Sequence, residues 1–377
     1  MAEKKLLMDE YVRSAPAQAL KNIENSYVLT KQIADIYIEG KYTSVCIVAS
    51  GSSRNGTEAA VDFMRRYMGV SVEVMTPFTF THYNNDLVKD NFIVVVSQSG
   101  ASTNSIDALK KIKEMGKTAI GITANLENDF KDYADIEIDY GVVEEKEPYV
   151  TKGVTLLALF FMLFALEAGK RTGHIIEEKY EEEKRQLKEA FKVYEKVLAV
   201  LPDFIDTHIK ELSSLQRMFL CAAGGAYGAV CEGALKASEL LKILAVPLET
   251  EEYIHGYNYQ LAPEHTVFFL DTKAETSKRV RDIYRATRKV TDRAYMLTCF
   301  DGLKEDKNVL TVETEVEQSV SSIYCLPFFQ MIVYTITVYL DCLEQHPLLK
   351  EFNTVVSSKS DKYAKDYIRR LNCEFEQ

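Results

Sequence analysis

Two serine-rich stretches have the composition to hold an anion. Ser97-Gln98-Ser99-Gly100-Ala101-Ser102-Thr103 follows the apolar run 92–96, and Gly51-Ser52-Ser53 follows the run 44–49 (SVCIVA). Continuous β-branched runs of this kind read as strands buried on both faces, as in a parallel sheet. A helical pattern follows each loop, so backbone amides and hydroxyls gather at a helix N-terminus, where the dipole and the free N–H groups favour an anion. Hydroxyls add directed donors, so a phosphate can be held without lysine or arginine. The same serines can serve as plain helix caps. Two such loops after neighbouring strands favour the phosphate, and in an open parallel sheet the ligand lies outside the carboxyl ends of the strands.

A second constellation lies in the other half of the chain. Glu232, Lys236 and Glu239 are spaced by four and three residues, which places them on one side of a helix in an apolar setting. Lys236 can steady or orient an ionised Glu239, so a carboxylate poised for proton transfer fits the pattern. An exposed salt-bridged face fits the same spacing. His255, in Tyr253-Ile254-His255-Gly256, follows a run with Pro247 that reads as a loop. The remaining histidines, His82, His174, His208, His265 and His346, read as structural or surface residues. No histidine or cysteine pair has zinc spacing, so neither a catalytic metal nor a cofactor is expected. No nucleophile elbow, P-loop or dinucleotide fingerprint occurs.

The elements that must position these residues recur in one order. Residues 1–37 read as helices, with Ser14-Ala15-Pro16 as a start signal and an amphipathic run to Ile36. Over 38–174, strands at 44–49, 70–75, 92–96 and 118–123 alternate with helices at 57–67 and 104–115. An asparagine-rich loop and a strongly apolar helix near 156–166 follow. Strand, loop and helix in repetition predict a doubly wound α/β domain with a parallel sheet. Over 175–201 charged residues dominate on a helical period, which predicts a long solvated helix within a linker, 175–205. Residues 206–350 then replay the first half, with strands at 217–223, 267–270 and 294–298, helices from Val230 and over 277–290, and an apolar helix near 328–340. The pattern predicts a duplicated domain. The replayed loops, Gly224-Gly225-Ala226-Tyr227 and Asp271-Thr272-Lys273, have fewer hydroxyls, and Asp271 would repel phosphate. One phosphate site per chain is therefore expected, in the first half. Residues 351–377 form a tail.

Bulk properties narrow the partners. The 377 residues are 47% hydrophobic, and the net charge is -11. An acidic chain repels nucleic acid and anionic lipid, so neither is an expected partner. The seven cysteines are odd in number, and several sit in apolar runs, which suits a reducing compartment. The N-terminal MAEKKLLMDEY lacks a signal-peptide apolar region, and the expected location is cytoplasmic. The stretch 154–166 is read as too short to span a membrane, and the stretch around 332–340 as broken by Gln330 and Asp341. Both are expected to be buried core helices.

The chain resembles the sugar isomerase (SIS) domain family in its two-copy form, above all the isomerase half of glucosamine-6-phosphate synthase and the related fructosamine-6-phosphate deglycases. The likeness runs from Met8-Asp9-Glu10 with Pro16, through Gly51-Ser52-Ser53, Ser97-Gln98-Ser99-Gly100 and Thr151-Lys152, to Glu232-Gly233-Ala234-Leu235-Lys236 with Glu239. It implies two tandem flavodoxin-like domains. It implies that Ser52, Ser53, Ser97, Gln98, Ser99 and Ser102 hold a sugar 6-phosphate, with Gly51, Thr151, Lys152 and Glu232 as further substrate contacts. It implies that Glu239, beside Lys236, moves a proton between C1 and C2. It implies that His255 opens the sugar ring and reaches in from a second subunit, which makes a homodimer the expected assembly. The chain departs from the family in four places. The synthase's glutaminase domain has no counterpart here, so ammonia from glutamine is not expected. Ala101 stands where an acidic residue is usual. No lysine falls at 353–355, the slot aligned with the synthase's C-terminal lysine. The tail 357–377 matches nothing in the family.

These readings predict a deglycase acting on an amino- or amino-acid-substituted hexose 6-phosphate. An aldose–ketose isomerase without amine chemistry needs the same base. A sugar-phosphate sensor without turnover would need neither Glu239 nor His255.

Overall fold

Buried β-branched runs organise the molecule, which a computed structural model describes over residues 7–142, 145, 149–344 and 346–363. Helices α1 (Met8–Glu24) and α2 (Ser26–Glu39) come first. Pro16, read above as a start signal, instead lies buried inside α1. The first half then runs β1 (Ser44–Ala49), α3 (Gly51–Met68), β2 (Ser71–Met75), the single turn α4 (Pro77–Thr79), β3 (Phe92–Val96), α5 (Thr103–Glu114), β4 (Ile120–Thr123), β5 (Ile136–Asp139) and α6 (Lys152–Arg171). Helix α7 (Glu177–Leu212) leads to the second half: β6 (Arg217–Ala222), α8 (Tyr227–Lys236), β7 (Leu244–Glu249), α9 (Thr250–Ile254), β8 (Thr266–Asp271), α10 (Ser277–Thr287), β9 (Ala294–Thr298), β10 (Val309–Thr311), α11 (Ser321–Leu340) and the short α12 (Leu349–Val355).

Each half is a five-stranded sheet in which every pairing is parallel. The strand order is β2-β1-β3-β4-β5 in the first and, counted in the same sense, β7-β6-β8-β9-β10 in the second. The two orders are one pattern, as expected of a duplicated doubly wound α/β unit. The run with Pro247 is not a loop: it is edge strand β7, paired on one side with β6. Proline cannot donate to a ladder, but an edge position leaves its nitrogen facing away from the partner.

Helix α7 corrects the solvated-linker expectation. It is 36 residues long, passes through Pro202, and buries Leu187, Phe191, Tyr194, Leu198, Leu201 and Ile205. These recur every three or four residues and form an apolar stripe beneath the charges. Helix α6 and the segment Gln318–Leu340 are each long and apolar enough to cross a membrane, so the stretch at 154–166 belongs to a longer helix than expected. The α6 window is wholly buried inside the protein and most of the other window is too. One large apolar cluster spans both halves, and a smaller one covers the outer face of each sheet.

The two halves meet through equivalent helices. Helix α3, which follows β1, packs on α8, which follows β6. The seam is tight: a Cβ on Gly228 would lie 2.4 Å from the backbone nitrogen of Ala59. The Ser322 hydroxyl of α11 donates to the Ala59 carbonyl at 2.8 Å. This packing sets the N-terminus of α3, with its serines, against the polar face of α8.

Candidate functional site

The loop between β3 and α5 turns on Gly100, which has a φ of +59° and no room for a side chain beside Asn128. The Gly100 amide donates to the Ser97 carbonyl at 3.0 Å, which closes the turn. Ser97 Oγ donates to Ser102 Oγ at 3.1 Å, and Ser99 Oγ accepts from the Ala101 amide at 3.3 Å. The Gln98 amide donates to Ser53 Oγ at 3.3 Å, so the two serine loops touch. The Gln98 side chain is held inside the chain: Oε1 accepts from the Tyr140 hydroxyl at 2.8 Å, and Nε2 donates to Glu145 at 2.7 Å.

These loops wall a cavity of about 520 Å³, lined by Gly51, Ser52, Ser53, Ser97, Gln98, Ser99 and Ser102 from the first half and by Glu239 from the second. The asparagine-rich loop after β4 adds Asn125 and Asn128. Ser358, Lys359, Lys362 and Tyr363 of the tail close the remaining side. Sequence reasoning missed the tail altogether. Its lysines carry no local signal, because long-range backbone pairing brings them there.

The α8 face is buried, not exposed. Glu232 and Lys236 are fully buried. Lys236 Nζ lies 3.4 Å from Glu232 Oε1 and 2.5 Å from Glu239 Oε2. Burial by itself would lower the Lys236 pKa. Two carboxylates against one ammonium outweigh it, and the pKa is raised. Ser52 Oγ donates to Glu232 Oε1 at 3.0 Å, and Asn55 Nδ2 donates to Oε2 at 2.9 Å. A first-half serine thus pins the second-half carboxylate. Past Lys236 the helix widens into a π-type turn, Ala237–Leu241, which carries Glu239. Such turns occur often at functional sites. Glu239 keeps about a third of its side chain exposed, at the cavity wall.

Three expected contacts, Thr151, Lys152 and Glu232, and two expected participants, Lys236 and His255, are not among the residues that line the cavity. The amides of Thr151 and Lys152 donate to Glu145, at 3.1 and 2.5 Å, at the start of α6, and Lys152 Nζ sits over the Tyr11 ring. His255 is exposed at the end of α9 and is not among the lining residues. Among the described residues, no group of three or more His, Cys, Asp or Glu is placed to hold a metal ion.

The sequence profile of the SIS domain matches residues 43–166, the stretch that carries both serine loops. That stretch of the chain carries an SIS domain. The glutamine–fructose-6-phosphate aminotransferase (isomerizing) of Aliivibrio fischeri (strain ATCC 700601 / ES114) is 27% identical over 250 residues, covering 62% of this chain and 39% of that protein. Its counterpart in Clostridium tetani (strain Massachusetts / E88) is 26% identical over 273 residues, covering 71% and 43%. The chain spans about two fifths of the length of these relatives. Among solved structures, a Clostridium difficile 630 protein provisionally assigned as a phosphosugar isomerase superposes with a TM-score of 0.84 at 22% identity, over 94% of this chain and 99% of that one. The C-terminal domain of glucosamine-fructose-6-phosphate aminotransferase from Francisella tularensis gives 0.79 at 19% identity, over 90% and 98%. At these identities the likeness shows the fold. The superpositions cover both halves of the chain.

Proposed function

We propose that the cavity binds a hexose 6-phosphate derivative and that Glu239 transfers a proton between C1 and C2 of the open-chain sugar. The observation that carries this reading is the placement of Glu239, held by Lys236 at 2.5 Å, on the wall of the cavity that the Ser97–Ser102 loop closes. A carboxylate and a phosphate cradle facing one space of about 520 Å³ suit a six-carbon phosphosugar whose far end reacts. The reaction favoured is release of the amine from a fructosamine 6-phosphate: the shifted proton gives an enaminol, and water frees the amine. Aldose–ketose isomerisation uses the same proton transfer, and the relatives named above carry isomerising activity in their names. His255 lies outside the cavity of its own chain, so its part in ring opening requires a second copy of the chain in a homodimer. The buried apolar helices and free thiols suit a cytoplasmic setting.

The test follows deuterium from D₂O into C1 or C2 of fructose 6-phosphate and of its amino-acid adducts by NMR. Glu239→Gln keeps the shape and loses the base, so exchange should slow by a factor of about 10²–10⁴ while binding survives. Wild-type protein that binds such a sugar and exchanges no proton would replace the enzyme reading with the sensor reading.

A further inference from the structure

The geometry points to Lys359 as the cation of the phosphate subsite, delivered to the serine loop by the C-terminal segment 357–360. This deepens the function proposed above and rests on it. The segment lies along the loop as a strap. The Thr103 amide donates to the Ser358 carbonyl at 3.2 Å, the Ser360 amide donates to the Ala101 carbonyl at 2.9 Å, and Ser102 and Lys359 form an antiparallel bridge. Thr103 Oγ1 donates to the Ser357 carbonyl at 3.3 Å, and Ser360 Oγ donates to Asp129. Between these anchors Lys359 Nζ donates to Ser99 Oγ at 2.7 Å and to Ser102 Oγ at 3.3 Å, with the Tyr363 ring centroid 5.5 Å away.

Charge pairing around the cavity sets this ammonium apart. Glu127 is matched by Lys131 at 3.1 Å, Asp129 by Lys362 at 3.3 Å and Glu239 by Lys236 at 2.5 Å. Glu145 accepts from the amides of Thr151 and Lys152. Among the described residues Lys359 has hydroxyl partners and no carboxylate. Burial pushes its pKa below the ordinary lysine value. A half-buried cation with no counter-ion among the described residues carries a desolvation cost, and an arriving phosphate offsets it. The ammonium has three donors, so it can keep a serine contact and still bind a phosphate oxygen. This gives an acidic chain a local means of holding a dianion, and it favours phosphorylated over neutral sugars.

Calorimetry on the full chain tests this, with inorganic phosphate and fructose 6-phosphate as probes, fructose as the uncharged control and thermal unfolding as a check on the fold. Lys359→Met should weaken both phosphate probes by about 10- to 100-fold, the value of a hydrogen bond to a charged group. Lys359→Arg should recover most of the loss. Above about pH 8 the phosphate is already a dianion. There the wild-type affinity should fall as Lys359 loses its proton, at a lower pH than an ordinary lysine would, and Lys359→Arg should not show that fall. A strap that merely shapes the loop would not follow pH in this way. The pH comparison of wild type with Lys359→Arg decides the matter even if Lys359→Met unfolds. Wild-type affinity in folded Lys359→Met, or equal pH profiles for wild type and Lys359→Arg, overturns this assignment and leaves the proposed function standing. Wild type that binds neither phosphate probe overturns both.

Discussion

The loops after β3 and β8 hold equivalent places in two halves of one strand order, yet their charges are arranged in opposite ways. After β3 the chain offers hydroxyls and an ammonium, Lys359, that is drawn in from the tail and has no carboxylate partner among the described residues. After β8 it offers charges that are already paired. Asp271 Oδ2 accepts from Arg281 Nη1 and from Thr298 Oγ1, each at 2.8 Å, and the Arg281 guanidinium lies 4.0 Å from the Phe300 ring centroid. A second cavity of about 500 Å³ opens there, lined by Lys273, Ser277, Arg281, Asp301, Glu313 and Glu315. Duplication of the sheet thus supplied two clefts at the carboxyl ends of the strands. On the proposed reading, anion capture depends on which cleft leaves donors and a cation without a carboxylate among the described residues.

The comparison can be broken first at the serines. Ser97→Ala with Ser99→Ala should lower affinity for fructose 6-phosphate by roughly 1.5–3 kcal/mol for each charge-assisted hydrogen bond lost. Unchanged affinity by calorimetry would place the phosphate elsewhere, with the β8 cleft the next candidate.

The matching experiment in the second half should change stability and leave binding alone. Asp271 is buried, and the Arg281 side chain is 14% exposed. Asp271→Ala leaves that guanidinium without its carboxylate, and breaking a buried pair costs about 3 kcal/mol or more. Urea unfolding should report the loss, with phosphate affinity preserved. Weakened phosphate binding in the folded variant would mean that the β8 cleft also takes the anion.

Local signals explain which parts of this arrangement were legible in the sequence. Strands β1, β3 and β9 were read to the residue, because a continuous β-branched run buried on both faces has few alternative readings. Strand β7 was missed because Pro247 suppresses a strand reading that only an edge position allows. Pro16 misled for the converse reason: it is tolerated inside a helix already packed against α7 and α6. The serine loops were legible because glycine turns and hydroxyls sit where a strand meets a helix. The roles within them were not. Ser52 turns its hydroxyl to Glu232 across the seam, and Gln98 is held by Tyr140 and Glu145. Those contacts depend on how α3 packs on α8 and on where α6 begins. Lys359 lies more than 250 residues from its serine partners, and nothing around it in the sequence announces a site.

The smallest effect is expected at Lys273, and it sharpens the comparison most. Lys273 stands in the β8 cleft where a phosphate-binding lysine would be useful, and its Nζ lies 2.9 Å from Glu315. The pair is open to water, with side-chain exposures of 51% and 93%. An exposed ion pair contributes about 0–1 kcal/mol, since the charges are already well solvated and the pair must fix two long side chains. Lys273→Met should therefore shift thermal stability by no more than about 0.5 kcal/mol. It should leave affinity for inorganic phosphate and fructose 6-phosphate unchanged, whereas Lys359→Met weakens both. The two substitutions remove the same charge from equivalent clefts of similar volume. If Lys273→Met weakened phosphate binding as Lys359→Met does, the pairing of charges would not be what distinguishes the halves, and each chain would hold two anion sites.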